Sequence, residues 1–398
     1  MRSANFAPVR TLPEQASKGR DYWPTAGWRK STPEEHGLDS ELLAQAYAYL
    51  EQNFPAHRAI ALFRHGYLIS EKYNQRPYLN LGSILVKGLF AGEARLFGQP
   101  MGTFQDSHGR CWNTRSVTKS VMSILVGLAL KEKYLQSLEQ KVVDFLPEYF
   151  TPTTEPAKKG ITLRHLLTMT SGLKSIDQNM MILKLLTRRH WIQTMVNLPL
   201  EGKPGERFVY NSANTHLLSA ILTKATRMST LAFANQYLFQ PLGIADLFWE
   251  PDRQGISFGS GNLFLTPHDM AKIGYLYLNH GLWDGQQITP PAWIQESLQK
   301  YHAWDFGFYY GYGWYLKDEQ DEKRGLNYFT YSAAGVGGQK ILVVPALDLI
   351  LVATAKTSFT PNKDYFLNLM ISRFLIPAVK ARESTIDELS KNNQVTGV

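Results

Sequence analysis

The sequence predicts a mixed α/β (α+β) fold, in which one antiparallel sheet is flanked by terminal helices and interrupted by a mainly helical domain. Three observations predict it. Two apolar runs flank a glycine-containing turn in residues 60–70, and a second, strongly apolar pair flanks residues 345–348. Between these hairpins, from residue 116 to about residue 300, the pattern is predominantly helical. The economical packing places both hairpins in one sheet and inserts the helical stretch between them.

Individual helices are expected where start or stop signals accompany an apolar period. They fall at residues 40–53, 161–169, 214–226, 266–271 and 363–380. Asp39 provides an N-cap side chain for the first helix, and Pro267 suits the first turn of the fourth. Residues 74–112 form a long connection, and whether it makes a lid over a pocket stays open.

These elements divide the chain into two predicted domains. Residues 1–114 and 300–398 make up a discontinuous, sheet-containing α/β domain, and residues 115–299 make up the mainly helical one. Binding sites favour the interface between domains. The active site is therefore expected in the cleft between them.

Composition and charge exclude several classes of function. The net charge is +8, but Lys and Arg are scattered, so no nucleic-acid partner is expected. The single cysteine, Cys111, excludes an intramolecular disulfide. The ten histidines form no His-Glu-x-x-His or His-x-His pair, so neither a metal nor another cofactor is expected. Whether the protein is a monomer or a homodimer stays open.

The N-terminus and the apolar runs bear on the compartment. Residues 1–8 lack the apolar core of a signal peptide, and no apolar run approaches the length of a membrane span. A cytoplasmic location without a membrane partner is therefore expected. A periplasmic location stays open for a chain whose leader has been removed.

The stretch that carries the chemistry begins at Ser116-Val-Thr-Lys119 and runs into a long apolar segment. Positions i and i+3 of a helix share a face, so Ser116 and Lys119 present a hydroxyl and an amine side by side. A helix N-terminus also favours developing negative charge. These are the components of a Ser–Lys nucleophile. The alternative is an N-capping serine with a solvated lysine one turn later.

Ser-x-x-Lys also occurs at Ser171 and at Ser297. Gly172 follows Ser171 and indicates a turn rather than the start of a helix. Ser297 belongs to a polar helix face that is expected to point to water. Only Ser116 leads into a helix with the composition of a buried one.

A tyrosine is needed to complete such a site. Reference pKa values are about 10.4 for lysine and about 10 for tyrosine, so either base needs its pKa lowered by about 3 near neutral pH. Burial lowers the pKa of the amine, and ammonium character lowers that of a neighbouring phenol. Tyr210 follows a Pro-Gly turn and precedes the helix start near Ser212, so it is the candidate. A tyrosine of the core is the alternative.

Several stretches, taken in order, resemble the β-lactamase-related serine hydrolases, which include class C β-lactamases, DD-peptidases and family VIII esterases. They are Ser116-x-x-Lys119, residues 161–173, Pro204-Gly205-x-x-Phe208-x-Tyr210-x-Ser212, residues 261–274 and residues 334–339. The resemblance covers about residues 22–377 and is strongest to the branch of nylon-oligomer (aminohexanoate-dimer) hydrolases and related esterases. It implies the β-lactamase/transpeptidase-like version of the predicted fold.

The resemblance also implies roles for individual residues. Ser116 would be the nucleophile, and Lys119 and Tyr210 the proton-transfer pair. Ser212 stands where β-lactamases usually carry asparagine. The third motif, Lys-Thr-Gly or His-Thr-Gly in penicillin-recognising enzymes, is matched by the uncharged Ser332–Ala334, followed by Gly335. Together with Ser212, Ala334 and Gly335 are then the expected substrate-binding and oxyanion residues, with Gly335 or a neighbour donating a backbone N–H.

The expected function is a cofactor-independent serine hydrolase that cleaves a small-molecule ester or amide, including aminohexanoate-oligomer-like substrates, through an acyl-enzyme on Ser116. A β-lactamase or DD-peptidase is the alternative within the class, and Ser212 and the uncharged third motif argue against it. A non-catalytic binding protein that kept the fold is the alternative from another class. Such a module would need neither Lys119 nor Tyr210.

Overall fold

A computed structural model describes residues 20–74, 107–177, 188–321, 324–356 and 363–380. Most of the connection at 74–112, and with it the question of a lid, lies outside the described residues.

The described residues contain fourteen strands. In chain order they are β1 (His57–Arg64), β2 (Tyr67–Tyr73), β3 (Ser107–His108), β4 (Cys111–Asn113), β5 (Leu247–Trp249), β6 (Leu263–Leu265), β7 (Leu282–Trp283), β8 (Gln286–Gln287), β9 (His302–Ala303), β10 (Tyr309–Tyr310), β11 (Tyr315–Asp321), β12 (Leu326–Gly335), β13 (Gln339–Val344) and β14 (Leu349–Ala355).

The main sheet has eight strands in the order β2-β1-β14-β13-β12-β11-β10-β9, and every neighbouring pair is antiparallel. The register aligns Ile60 with Ala353 and Leu342 with Leu351. The two predicted hairpins, β1–β2 and β13–β14, are therefore adjacent in one sheet. A second sheet has the order β3-β4-β6-β5, and β7 and β8 form a separate pair.

The helices lie mainly between the two sequence segments that build the sheet. In chain order they are α1 (Ser40–Asn53), α2 (Val117–Lys131), α3 (Val142–Phe145), α4 (Leu163–Leu167), α5 (Trp191–Val196), α6 (Ser212–Thr226), α7 (Thr230–Ala234), α8 (Pro267–Leu278), α9 (Pro291–Ser297) and α10 (Lys363–Met370). Helix α10 continues through a π turn at Ile371–Leu375 into Ile376–Ala378. Short 3-10 turns lie at Glu34–His36, Pro147–Tyr149, Pro156–Gly160, Asp305–Gly307 and Pro345–Leu347.

Side-chain alternation along the central strands gives the sheet two buried faces, as the period of two requires. Ile341 and Val343 of β13 face the larger core, which contains α2, α6 and α8. Leu342 and Val344 face a smaller core closed by α1 and α10. The sheet is thus covered on one face by the terminal helices and on the other by the helices from the middle of the chain.

The fold class predicted from the sequence is confirmed, and so are the predicted helices. Asp39 caps α1 by accepting hydrogen bonds from Glu41 and Leu42. Thr162 and Thr266 cap α4 and α8. Strands β9 to β12 extend the sheet beyond the two predicted hairpins, and a four-stranded sheet interrupts the stretch predicted as helical. The division into domains at residues 114/115 and 299/300 stays a prediction.

The environment predicted for Ser297 is wrong. Its side chain is fully buried at the end of α9, where it donates to the carbonyl of Ile294 and contacts the hydroxyl of Tyr277. The short helix begins at Pro291, directly after Pro290, and its last residue, Ser297, faces the core rather than water. Ser171, as expected, lies in a turn, and Gly172 there has a φ of 76°.

Within the described part of the chain, none of the helices combines the length and the apolar character that crossing a bilayer would require.

Candidate active site

Ser116 lies at the junction between β4 and α2, immediately before the first residue of the helix. Its side chain makes no capping hydrogen bond. Arg115, the preceding residue, has a φ of 52°, a conformation that is uncommon for a side chain with a Cβ and that clusters at functional sites. This sharp turn sets the hydroxyl at the beginning of α2 without using it as a cap.

Lys119 is buried one turn later, with 2% of its surface exposed. Its Nζ lies 2.9 Å from Ser116 Oγ, 3.0 Å from Ser212 Oγ and 3.2 Å from the carbonyl oxygen of Ser260. An ammonium group has three N–H donors, and these three acceptors use all of them. Neither feature of the alternative, a capping serine with a solvated lysine, is present.

Burial lowers the pKa of Lys119 to about 8, because the charged amine is deprived of water. The carboxylate of Asp177 acts in the opposite direction and raises it. The amine therefore exchanges its proton close to neutral pH, as a general base must.

Tyr210 is hydrogen-bonded to Ser116, and Lys119 Nζ is 4.9 Å from the centroid of its ring. Burial raises the pKa of its phenol, the charge of Asp177 raises it further, and hydrogen bonding to the Ser116 and Tyr315 hydroxyls lowers it only in part. The expectation that the neighbouring amine would lower the pKa of the phenol is therefore wrong. At neutral pH the phenol keeps its proton.

Ser212 is the first residue of α6, which is capped by the side chain of Asn211. The hydroxyl of Ser212 donates to Asp177 Oδ1, and its backbone N–H donates to Asp177 Oδ2, each over 2.6 Å. Asp177 is itself exposed. Ser212 therefore connects the buried amine of Lys119 to a carboxylate at the surface of the site.

The segment after α4 is joined by hydrogen bonds to the backbone of Tyr210 and to the side chain of the next residue, Asn211. The hydroxyl of Ser175 donates to the carbonyl of Tyr210 over 2.7 Å. The side-chain amide of Asn211 donates to the carbonyls of Leu173 and Lys174, each over 3.1 Å. These contacts explain why residues 161–173 and 204–212 belong to the same site.

Strand β12 brings Gly335 against the turn at residues 114–116. A Cβ on Gly335 would lie 2.5 Å from the carbonyl oxygen of Thr114 and 3.0 Å from the backbone nitrogen of Ser116, so only glycine fits. Ala334 is half-buried beside it and pairs with Lys340 in the sheet. The structure thus brings together five of the six residues expected from the sequence, with Ala334 as their neighbour on the strand; their roles stay predictions.

Aromatic side chains from the β9–β11 region pack around Tyr210. The ring of Trp304 meets that of Tyr210 edge-on, with centroids 5.3 Å apart, and Tyr310 lies 6.2 Å away. Tyr315 contacts both Trp304 and Tyr310. These rings form a wall next to Tyr210, and Tyr312 and Trp314 from the same run belong to the larger core.

Three contributors to this arrangement were missed by reasoning from the sequence. Asp177 lies just beyond a recognised motif, Ser260 contributes only a backbone carbonyl, and Tyr315 is one of several tyrosines in an aromatic run. The position of Asp177 shortly after Ser171-Gly172-Leu173 is a sequence feature from which its place near the site could have been predicted. No side-chain pattern marks a backbone carbonyl such as that of Ser260.

Comparison with known proteins gives a consistent result. Residues 98–369 match the family model described as Beta-lactamase. The 6-aminohexanoate-dimer hydrolase of Paenarthrobacter ureafaciens is 27% identical over 168 residues, which cover 41% of this chain and 42% of that protein. Esterase EstB of Burkholderia gladioli is 27% identical over 162 residues, which cover 37% and 41% of the two chains. The chain thus matches less than half the length of these two curated relatives.

Solved structures show the same fold. A candidate 6-aminohexanoate-dimer hydrolase from Bacillus anthracis superposes with a TM-score of 0.64 over 94% of this chain and 90% of that one, at 17% sequence identity. At that identity the similarity establishes the fold alone. The family model, in contrast, spans more than half of the sequence and includes the turn at residues 114–116, α6 and β12. The chain belongs to the β-lactamase family.

Proposed function

We propose that the protein is a serine hydrolase that cleaves ester or small amide bonds through an acyl-enzyme on Ser116. Lys119 acts as the base, Tyr210 as the proton donor to the leaving group, and no cofactor takes part. The observation that carries the proposal is the set of three acceptors around Lys119 Nζ. It supports Ser116 as the hydroxyl that gives up its proton.

When Lys119 is neutral, one of its three contacts must reverse so that a neighbour donates to the amine lone pair. The carbonyl oxygen of Ser260 has no proton to give. The hydroxyl of Ser212 already donates its proton to Asp177. Ser116 Oγ is left as the donor, at 2.9 Å, which is within range for proton transfer.

Attack by the Ser116 oxygen on a carbonyl carbon produces an oxyanion. The backbone N–H of Ser116 lies at the N-terminus of α2, and Gly335 lies against this N–H. A second N–H, from the end of β12, completes a pair of donors. One such donor is typically worth about 3–4 kcal/mol of transition-state stabilisation. We assign this oxyanion role to Gly335 or its neighbour on the strand.

Tyr210 completes the cycle because its phenol is protonated and close to Ser116. It gives its proton to the departing oxygen or nitrogen and recovers one from the Lys119 ammonium, which faces its ring. Water then attacks the acyl-enzyme with Lys119 again as base, releasing the acid and restoring Ser116.

The substrate is proposed to be a small ester or amide. The relatives named above are a hydrolase of 6-aminohexanoate dimers and an esterase, which split amide and ester bonds respectively. A β-lactamase or DD-peptidase activity is less well supported, because Ser332–Ala334 supply no cation for a substrate carboxylate and Ser212 replaces the usual asparagine. A non-catalytic binding role would leave the arrangement of Ser116, Lys119 and Tyr210 without a purpose.

The proposal is tested by supplying a short-chain p-nitrophenyl ester and a chromogenic cephalosporin to the same preparation. We expect the ester to be hydrolysed and the cephalosporin to be turned over much more slowly. Stoichiometric labelling by a fluorophosphonate should stop ester hydrolysis, because the label occupies Ser116. Rapid cephalosporin turnover would contradict the assigned substrate class, and failure of both turnover and labelling would favour the binding protein.

Replacing Asp177 with asparagine should move the pH dependence of this activity toward lower pH. In the wild type, kcat/KM is expected to rise through pH 8, because the base must lose its proton. The Asp177 carboxylate raises the pKa of Lys119, so Asp177→Asn lowers that pKa and shifts the acidic limb downward, by about half to one pH unit. Asparagine still offers an oxygen to Ser212. Steady-state kinetics from pH 5.5 to 9.5 measure the shift.

A matched control is Asp246→Asn, which removes an exposed carboxylate that pairs with Arg110 instead. Its acidic limb should coincide with that of the wild type. An acidic limb that stays in place, or moves upward, in Asp177→Asn would contradict the electrostatic role of Asp177.

A further inference from the structure

His216 lies on α6, one turn after Ser212, and is fully buried together with Asp252. Its Nε2 is 3.1 Å from Asp252 Oδ2. The rings of Trp191 and Phe258 pack edge-on against it, with centroids 5.5 and 5.3 Å away. The proposed mechanism does not use this pair. Burying a carboxylate and an imidazole is costly unless both are hydrogen-bonded, so their hydrogen bonds indicate what the pair holds in place.

The tautomer of His216 follows from its second contact. The backbone N–H of Gly259 donates to His216 Nδ1 over 3.3 Å, so Nδ1 carries no proton. Nε2 then holds the proton and donates it to Asp252. The side chain is therefore a neutral imidazole that accepts from one residue of a loop and donates to another.

That loop, residues 250–262, connects β5 to β6 and carries the carbonyl of Ser260. At one end, Asp252 Oδ1 accepts hydrogen bonds from the backbone of Gln254 and Ile256, over 2.8 and 3.0 Å. At the other, a Cβ on Gly259 would lie 2.2 Å from the carbonyl oxygen of Thr215, so the loop backbone touches α6 directly. His216 contacts both ends.

The next residue along the chain makes contact with the base. Ser260 follows Gly259, and its carbonyl oxygen accepts from Lys119 Nζ over 3.2 Å. A carbonyl oxygen favours the ammonium form of an amine that it contacts. This carbonyl belongs to the Ser260–Gly261 peptide, so the position of the loop backbone at Gly259 and Ser260 affects how tightly Lys119 holds its proton.

We propose that His216 is a positioning residue, which holds the loop backbone at the N–H of Gly259 through its Nδ1 and so keeps the carbonyl oxygen of the next residue, Ser260, at the Lys119 amine. The catalytic consequence rests on the proposed function, because it requires Lys119 to be the base. The titratable side chains facing Lys119 are Asp177 and Tyr210, and the one facing His216 is Asp252.

Two substitutions at one position separate positioning from stability. His216→Asn retains an oxygen at the place of Nδ1 and can still accept from Gly259, whereas His216→Phe fills the space between the rings and accepts nothing. Both lose the bond to Asp252, so both should lose similar thermal stability. The proton affinity of Lys119 is read directly, by NMR titration of ¹³Cε-labelled lysine with the resonance assigned by its loss in Lys119→Met, and also from the acidic limb of ester hydrolysis.

In His216→Phe we expect the pKa of Lys119 and the acidic limb to fall by about one pH unit, the effect of losing a hydrogen bond to a charged group. We expect kcat to fall about 10-fold to 100-fold with little change in KM. In His216→Asn both pH readouts should coincide with the wild type. Ser219→Ala, which removes the contact between α6 and the carbonyl of Ser257 in the same loop, should also leave them in place.

Equal shifts in both His216 variants, or a shift in neither, would overturn the proposal. If His216→Phe does not fold, the same pair is compared in an Asp252→Asn background, which removes the unpaired buried charge. Ester hydrolysis that persists in Ser116→Ala would instead overturn the proposed function, and the NMR titration would still decide the positioning role of His216.

Discussion

Ser116→Ala is expected to lower kcat for ester hydrolysis by at least about 10⁴-fold, the scale seen when a nucleophile is removed from a catalytic unit. The loss follows because, in the described part of the chain, the other hydroxyl hydrogen-bonded to Lys119 Nζ is that of Ser212, whose proton is committed to Asp177. The free energy of unfolding should change by less than about 1 kcal/mol, since Ser116 makes no capping hydrogen bond. Steady-state assays measure kcat, and urea unfolding measures the free energy of unfolding.

Ser297→Ala is the matched control, because Ser297 also begins a Ser-x-x-Lys sequence but is buried at the end of α9. It should retain wild-type kcat and lose some stability, since its hydroxyl contacts Tyr277 and Ile294. Ser116→Ala activity close to that of the wild type would show that Ser116 is not the nucleophile.

Lys119→Met is expected to lower kcat about 10³-fold, within the range that general base catalysis contributes. Methionine has a similar length and is apolar, so it keeps the shape of the site but cannot accept a proton. The remaining activity should also lose the rise through pH 8, because the group that titrates there is gone. Rate measurements across pH distinguish this result from a uniform loss.

The same substitution should alter stability in a direction set by the pKa of the amine. The pKa of Lys119 is about 8 in the folded protein and about 10.4 when unfolded, so the unfolded chain binds the proton more tightly. This difference disfavours the fold below pH 8, and the penalty disappears as the pH rises from 8 toward 10.4. The free energy of unfolding of Lys119→Met minus that of the wild type should therefore be about 2 kcal/mol larger at pH 7 than at pH 10.

Lys158→Met provides the control for a buried lysine outside the site. Lys158 donates to the carbonyl of Val196, and burial lowers its pKa as well. This variant should change stability without changing kcat or its pH dependence. A Lys119→Met enzyme that keeps its acidic limb near pH 8 would assign that limb to another group.

The fold could be predicted to the extent that it depends on local patterns. The hairpins β1–β2 and β13–β14 have apolar runs around a turn, and α1 begins at a capping aspartate, so both kinds of element are visible in sequence. Strands β9 and β10 are only two residues long, and their pairing depends on where β11 lies. The environment of Ser297 was mispredicted because tertiary contacts, not helix periodicity, decide which face of α9 is covered.

The candidate site could be predicted in its side chains but not in its electrostatics. Ser116, Lys119 and Tyr210 carry recognisable spacings, and the structure places them together. The raised pKa of Tyr210 depends on burial and on Asp177, whose position relative to the phenol is a tertiary property. The contact between Ser260 and Lys119 is made by a backbone carbonyl and so has no sequence signature at all.

Strand β1 has a consequence for synthesis on the ribosome. All eight of its residues are buried, and its partner β14 is the last to be translated of the strands in the described residues. At about 5–20 residues per second, the nascent chain exposes one edge of β1 for on the order of 15 to 60 seconds before β14 emerges. An apolar strand with an open edge is a template for aggregation. A nascent or prematurely terminated chain should therefore depend on chaperones until its final strand has left the exit tunnel.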